Sequence, residues 1–392
     1  MRRGRKLAGL AALPAALLLG LIGDDYARGA AFVIQAAGMQ GTVRTVAEWT
    51  TSDIVESDAQ VPWRGGTLRG RVYRPADDGE AQSAESLSAP PALLVPGVHA
   101  EGIDEPRFVQ FARDVASMGR IVVTAELPDL RRYSITPRTT DMIEDAGVWL
   151  SGSSGFAPES RIGVMGISFA GGLSVIAASR PSLRSRAAFV MSFGGHGDLP
   201  RTLRYLCTGR LHDGSYRAPH DYGIAIILLG VADRMVPPDQ AQPLRDAILA
   251  FLHASHVDMW DKAQAQAEFS RARTMAERLP EPSRTLMKYV NERDVARLGP
   301  LLLPYVGDLG DDEALSPDRS APQCPVYLLH GTEDNVILAE ESQLLAESLR
   351  ARGVKVTRLA TPLITHAEVD RSAAARAMWN LVRFWASLLD EK

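Results

Sequence analysis

Short apolar runs recur along this chain, separated by stretches in which apolar residues return every three or four positions. The runs at 92–95, 120–126, 162–165, 186–193, 325–330 and 354–359 are too short for helices, and their flanking Gly and Pro residues suit buried strands. Between them, 105–118 carries Phe108, Phe111, Ala112 and Val115 at helical spacing, and 141–150, 340–351 and 371–389 read as helices as well. Upstream, residues 60–74 hold two extended runs around Arg64-Gly65-Gly66, with Leu68 and Val72 on one face, which predicts an antiparallel hairpin. Residues 76–90 are a polar loop. Strand and helix in alternation predict an α/β fold with a mostly parallel sheet flanked by helices. The alternation stops after residue 194 and resumes near 321. In that interval, 240–253, 259–279 and 284–295 are rich in helix formers, so 195–320 is expected to be a helical cap insertion into a core made of 30–194 and 321–392.

The N-terminus breaks the pattern differently. Arg2, Arg3, Arg5 and Lys6 precede an uncharged run over 7–23, closed by Asp24 and Asp25. That layout predicts an export signal or membrane anchor over 1–29, with membrane contact through this segment and a place in the cell envelope. The run is at the short end of what spans a bilayer, and Pro14 interrupts it. A small-x-small cleavage pattern sits at Ala27-Arg28-Gly29. The other reading is a cytoplasmic protein whose apolar N-terminal helix docks on its own core. Residues 30–47 read as a helix lying either on a membrane or on the domain.

Composition adds exclusions. The chain has 392 residues, a net charge of −4 and 46% hydrophobic residues, enough for one large core. No basic block marks a nucleic-acid partner, and no phosphate-binding glycine motif appears. Cys207 and Cys324 leave room for one bridge, although two buried thiols are the preferred reading.

The chemistry concentrates at Gly166-Ile-Ser-Phe-Ala170, between the run 162–165 and an uncharged, Ala-rich segment reaching Ser179. A turn sharp enough to lift Ser168 off a strand end strains the backbone, so the residues two before and two after it must be small. Gly166 and Ala170 meet that need, and Gly171 and Gly172 allow close packing. The competing reading is a serine that only caps the following helix.

This order of parts resembles the α/β-hydrolase superfamily over residues 60–195 and 321–392. Within it, the hairpin and the Arg71-Val-Tyr-Arg-Pro75 run look most like the dienelactone-hydrolase and esterase branch. The resemblance implies a nucleophile, acid, histidine order, met here by Ser168, Asp334 and His366. Asp334 follows the run 325–330 through His330-Gly331-Thr332-Glu333, and Glu333 is expected to point away. Asp233, in Leu228-Leu229-Gly230-Val231-Ala232-Asp233, mimics the acid pattern but falls inside the insertion. The implied oxyanion hole takes one amide from Phe169 and one from Val98, where Pro96 replaces the family's usual histidine.

His99 and His196 are candidate pocket residues. His196, Asp198 and Arg201 have an equal alternative reading, as caps of the first insertion helix. His330 reads as a hydrogen-bonded core residue. His253 and His256, near Asp258 and Asp261, read as a solvated helix face rather than half of a metal site.

The expected activity is hydrolysis of a small-molecule carboxylic ester or related acyl compound through an acyl-enzyme, with no metal or cofactor. A peptidase or amidase on the same triad is the nearest alternative. A catalytically silent, membrane-tethered binding module is the alternative of another class.

Overall fold

The structure is a computed structural model that describes residues 23–77, 80–83, 87, 89–156, 161–364 and 371–391. Nine strands among them form one sheet. β1 (Asp53–Trp63) and β2 (Gly66–Asp77) make the hairpin, and the short β3 (Glu80–Ala81) pairs with β2. β4 (Ala92–Val95), β5 (Val122–Ala125), β6 (Ile162–Ile167), β7 (Ala187–Phe193), β8 (Val326–Gly331) and β9 (Val356–Thr361) follow. The sheet runs β1-β2-β5-β4-β6-β7-β8-β9 and is parallel from β5 onward. This is the α/β-hydrolase fold.

Each central strand is buried because helices cover both faces. All four residues of β4 are buried. Leu93 and Val95 join the core on one side of the sheet, and Leu94 joins the core on the other. Two helices, α1 (Asp24–Ala36) and α2 (Thr42–Ala47), precede the hairpin. α3 (Pro106–Ser117) links β4 to β5. The short α4 (Pro128–Arg131) and α5 (Pro137–Gly152) link β5 to β6, and α6 (Phe169–Ser179) links β6 to β7. α3 and α1 lie in the same apolar cluster, whereas α5 and α6 pack on the opposite face.

The order of connections fixes where a site can form. From β4 the chain turns toward β5, and from β6 it turns the opposite way, toward β7, although β4 and β6 are neighbours. Loops leaving the carboxyl ends of two such strands diverge and leave a crevice between them, the usual ligand position of an open α/β sheet.

Residues 199–310 hold α7 (Leu199–Thr208), α8 (Tyr222–Met235), α9 (Pro238–Val257), α10 (Lys262–Glu277), α11 (Ser283–Asn291), α12 (Val295–Leu302) and α13 (Val306–Gly310). The run at 228–232, which imitates a strand, is part of α8. α14 (Ala339–Ala351) and α15 (Arg371–Leu389) close the chain. Glu341 on α14 accepts from the amides of Gly197 (2.9 Å) and Asp198 (3.0 Å) and from the Arg201 guanidinium (2.5 Å). The amide of Asp318 donates to the Gly197 carbonyl (2.9 Å), so the helical segment leaves and re-enters the core at one place.

The single helix expected over 30–47 is two, α1 and α2, because Gly38 and Gly41 adopt positive φ between them. α1 begins at Asp24, so the small-x-small pattern at 27–29 lies inside this helix. A Cβ on Gly29 would approach the Val382 carbonyl at 2.6 Å. Phe32 is buried, with ring centroids 3.9 Å from Trp385 and 6.0 Å from Phe111. The rest of the signal or anchor segment, 1–22, lies outside the described residues. No helix among the described residues is long and apolar enough to cross a membrane.

Truncation of Phe32 tests whether α1 is part of the core. Phe32→Ala is expected to cost about 3–5 kcal/mol in chemical denaturation, the range for a buried aromatic. A loss below about 1 kcal/mol would mean that α1 is peripheral.

Candidate active site

Ser168 connects β6 directly to α6, with φ 55° and ψ −134°. A residue with a Cβ avoids that region unless its surroundings impose it. Here they do. The Ser168 amide donates to the Phe193 carbonyl at the end of β7 (2.7 Å), and the Ser168 carbonyl accepts from Gly171 (2.8 Å). A Cβ on Gly166 would overlap the Ala170 carbonyl, and one on Gly171 would meet Ser192 Oγ at 2.6 Å. Ala170 is itself fully buried, so a methyl group fits where the motif often has glycine. Ser168 occupies the N-cap position of α6, yet its side chain makes no capping hydrogen bond. The helix-cap reading is thereby removed. Ser168 itself stays half-buried at the crevice.

The loop after β4 meets the serine from across the crevice. A Cβ on Gly97 would lie 3.1 Å from Ser168 Cβ, which holds the Gly97-Val98 peptide against the elbow. The amides of Val98 and Phe169 donate to no acceptor among the described residues. Phe169 N–H is also the first orphan donor of α6, where the helix dipole favours negative charge.

Asp334 sits in the turn after β8. Its Oδ1 accepts from the amides of Val336 (2.9 Å) and Ile337 (3.0 Å), and Oδ2 lies 3.6 Å from His330 Nε2. Burial pushes this carboxyl up, but the His330 ring and the two amides outweigh it and hold it below the usual carboxylate range. His330 is fully buried and donates from Nε2 to the Ile337 carbonyl (2.7 Å), which shapes the turn. Glu333 faces away, paired with Arg217 at 2.9 Å. Asp233 is exposed on helix α8 and paired with Arg245 at 2.9 Å.

His366 lies outside the described residues. The chain that leads to it leaves β9 beside Asp334. The Thr332 amide donates to the Thr361 carbonyl (3.1 Å), and a Cβ on Gly331 would overlap the Ile364 carbonyl.

Two histidine readings are corrected. His196 is no pocket residue: it is fully buried, its ring fills the space above Gly172, and Nε2 donates to the Leu315 carbonyl (2.7 Å). Asp198 caps α7 by accepting from the Arg201 amide (2.6 Å), and Arg201 is held by Glu341, so this loop is structural. His256 is not on a solvated face. Its side chain is 9% exposed and meets His99, with 2.7 Å between His256 Nδ1 and His99 Nε2. His253 is exposed, and no metal-binding cluster occurs among the described residues. Cys207 and Cys324 are both buried and unpaired, and burial pushes each thiol up to about 12.

A recess of about 630 Å³ borders Asn335, next to Asp334, and is lined by Tyr216, Pro219, His220, Asp221 and Arg293 among others. Ser168 does not line it. Tyr133, which pattern reading passed over, is buried with φ 57° just beyond α4, and burial and Glu101 push its phenol up to about 12. Its positive φ has no sequence signal, since tyrosine is not a turn residue.

No protein-family model and no curated protein sequence matches the chain. Solved structures with a similar chain path include an esterase from Pyrobaculum calidifontis, at 14% identity over 94% of this chain and 93% of that one, with a TM-score of 0.46. Brefeldin A esterase, a bacterial homologue of human hormone-sensitive lipase, matches at 14% identity over 92% and 86%, with a TM-score of 0.47. A puromycin-hydrolyzing peptidase of Mycobacterium tuberculosis matches at 15% identity over 86% of this chain and 40% of that one, with a TM-score of 0.47.

The elbow's packing has a direct test. Gly166→Ala must displace the Ala170 carbonyl, so it is expected to lower stability by about 1–3 kcal/mol in urea denaturation. An unchanged midpoint would show that the turn has slack.

Proposed function

We propose that this protein is a serine hydrolase that cleaves carboxylic esters or related acyl bonds of small molecules. The observation that supports this best is the strained Ser168, whose hydroxyl is left unused by the helix it caps. In this reading Ser168 Oγ attacks the acyl carbonyl while His366 takes its proton. Asp334 orients His366 and stabilises the imidazolium, a task suited to a carboxyl held in its ionised form. The amides of Val98 and Phe169 receive the negative charge that develops on the carbonyl oxygen. His366 then protonates the leaving alcohol, and water resolves the acyl-enzyme by the reverse sequence.

Residues 195–320 act as the cap over this site, and the recess beside Asn335 is a candidate subsite for part of the substrate. The basic-flanked apolar segment at the N-terminus would hold the enzyme at the cell envelope. The hairpin and the Arg71–Pro75 run favour the esterase branch that resembles dienelactone hydrolases.

A fluorophosphonate probe should label wild-type protein at Ser168, and p-nitrophenyl esters should be turned over. Ser168→Ala is expected to abolish labelling and lower kcat by about 10⁶-fold, and Asp334→Asn to lower it by about 10⁴-fold. Turnover that survives Ser168→Ala would overturn the mechanism. In the pH profile of kcat the acid limb should reflect imidazole ionisation near 6.5 rather than Asp334, which stays charged to lower pH.

A further inference from the structure

The loop that carries Val98 is anchored on two sides by different parts of the molecule. On the core side, Arg131 Nε donates to the Ala100 carbonyl (2.8 Å), and the Gly102 amide donates to the His99 carbonyl (3.1 Å). On the other side it meets the helical insertion. His99 and His256, near the end of α9, face each other with ring centroids 4.2 Å apart, and Trp260 packs edge-on against His256 at 4.4 Å. Arg107, from the start of α3, covers Trp260 at 5.7 Å.

The hydrogen bonds of this pair define one set of tautomers. The Glu101 amide donates to His99 Nδ1 (3.2 Å), so that nitrogen is an acceptor and the His99 proton sits on Nε2. His99 Nε2–H then donates to His256 Nδ1 (2.7 Å). His256 therefore carries its proton on Nε2, which points to the Glu101 carboxylate at 3.4 Å. The chain starts and ends on Glu101, and it works only with both rings neutral. A second proton on either ring sets two donors against each other, at His99 Nδ1 or between the rings.

We infer that His256, with Glu101, is a positioning residue: it fixes His99 and thereby the neighbouring Val98 amide, so that the oxyanion hole is complete only when the insertion is seated on the core. This rests on the proposed serine-hydrolase mechanism and names a part for the insertion in it. The coupling follows from adjacency. Val98 and His99 are consecutive, Gly97 abuts Ser168, and the contacts of His256 with His99 and Glu101 are polar ties between this loop and α9.

Other charges face the pair from Glu101 in its own turn and from Glu105 and Arg107 at the start of α3. Burial and the neighbouring His256 push His99 down to about 4 against the attraction of the two carboxylates. The sign follows. A histidine held neutral in the folded state favours the seated arrangement above its ordinary value of about 6.5, and that preference is lost as pH falls toward 4.

His256→Ala should lower kcat for a p-nitrophenyl ester about tenfold with KM changed less than twofold, since the lost contact serves an interaction made in the transition state. His256→Asn keeps an acceptor at the Nδ1 position and does not titrate. It should restore kcat at pH 8 to within about twofold of wild type. Fluorophosphonate labelling of Ser168 in the wild type establishes the underlying mechanism separately. If wild type labels and turns over but His256→Ala keeps wild-type kcat, the positioning role is wrong while the hydrolase stands. If His256→Ala loses activity and His256→Asn does not recover it, the hydrogen bond is not the cause and the inference also fails.

Discussion

Everything at the crevice depends on one strained residue. Ser168 is held in a backbone region that costs about 1–3 kcal/mol for a residue with a side chain. That cost is tolerable only because the site is over-determined. A strand on either side of β6, the carbonyl at the end of β7 and the glycine contacts of α6 all oppose relaxation.

Once that residue is fixed, topology supplies its partners. The chain diverges between β4 and β6, so the loop after β4 and the elbow after β6 flank one crevice. Strands β7 and β8 then bring the Asp334 turn to the same edge, and the chain leaving β9 starts from beside it. The helical insertion is tied down at its base by the buried carboxylate of Glu341. It reaches the crevice again through His256. Its two ends thus differ in kind. The base is a charged network in the core, whereas the contact at the crevice joins two imidazole rings.

Much of this was legible in the chain because its signals are local. Small residues at fixed offsets around Ser168 can be read without knowing any neighbour, and so can a continuous apolar run such as 92–95. The count of strands was enough to place Asp334 in the turn after a core strand and Asp233 inside the insertion, where it lies on an exposed stretch of helix. His196 shows where such reading ends. A polar cluster after a strand looks the same in sequence whether its loop opens outward or folds into the space above a glycine. Gly172 leaves that space, and the imidazole fills it. His256 erred in the opposite direction, since acidic neighbours at 258 and 261 suggest solvent while the side chain itself turns inward.

The order of elements, the sharp turn at Ser168 and the candidate acid were therefore set by sequence alone, because each follows from periodicity or from the steric size of adjacent residues. Three matters belonged to tertiary structure. These are the docking of α1 on α15 through Phe32 and Trp385, the burial of His196, and the meeting of His99 with His256. Each joins residues far apart in the chain, and which side chains meet there is decided by the competition for space in a close-packed interior. No local pattern carries that information.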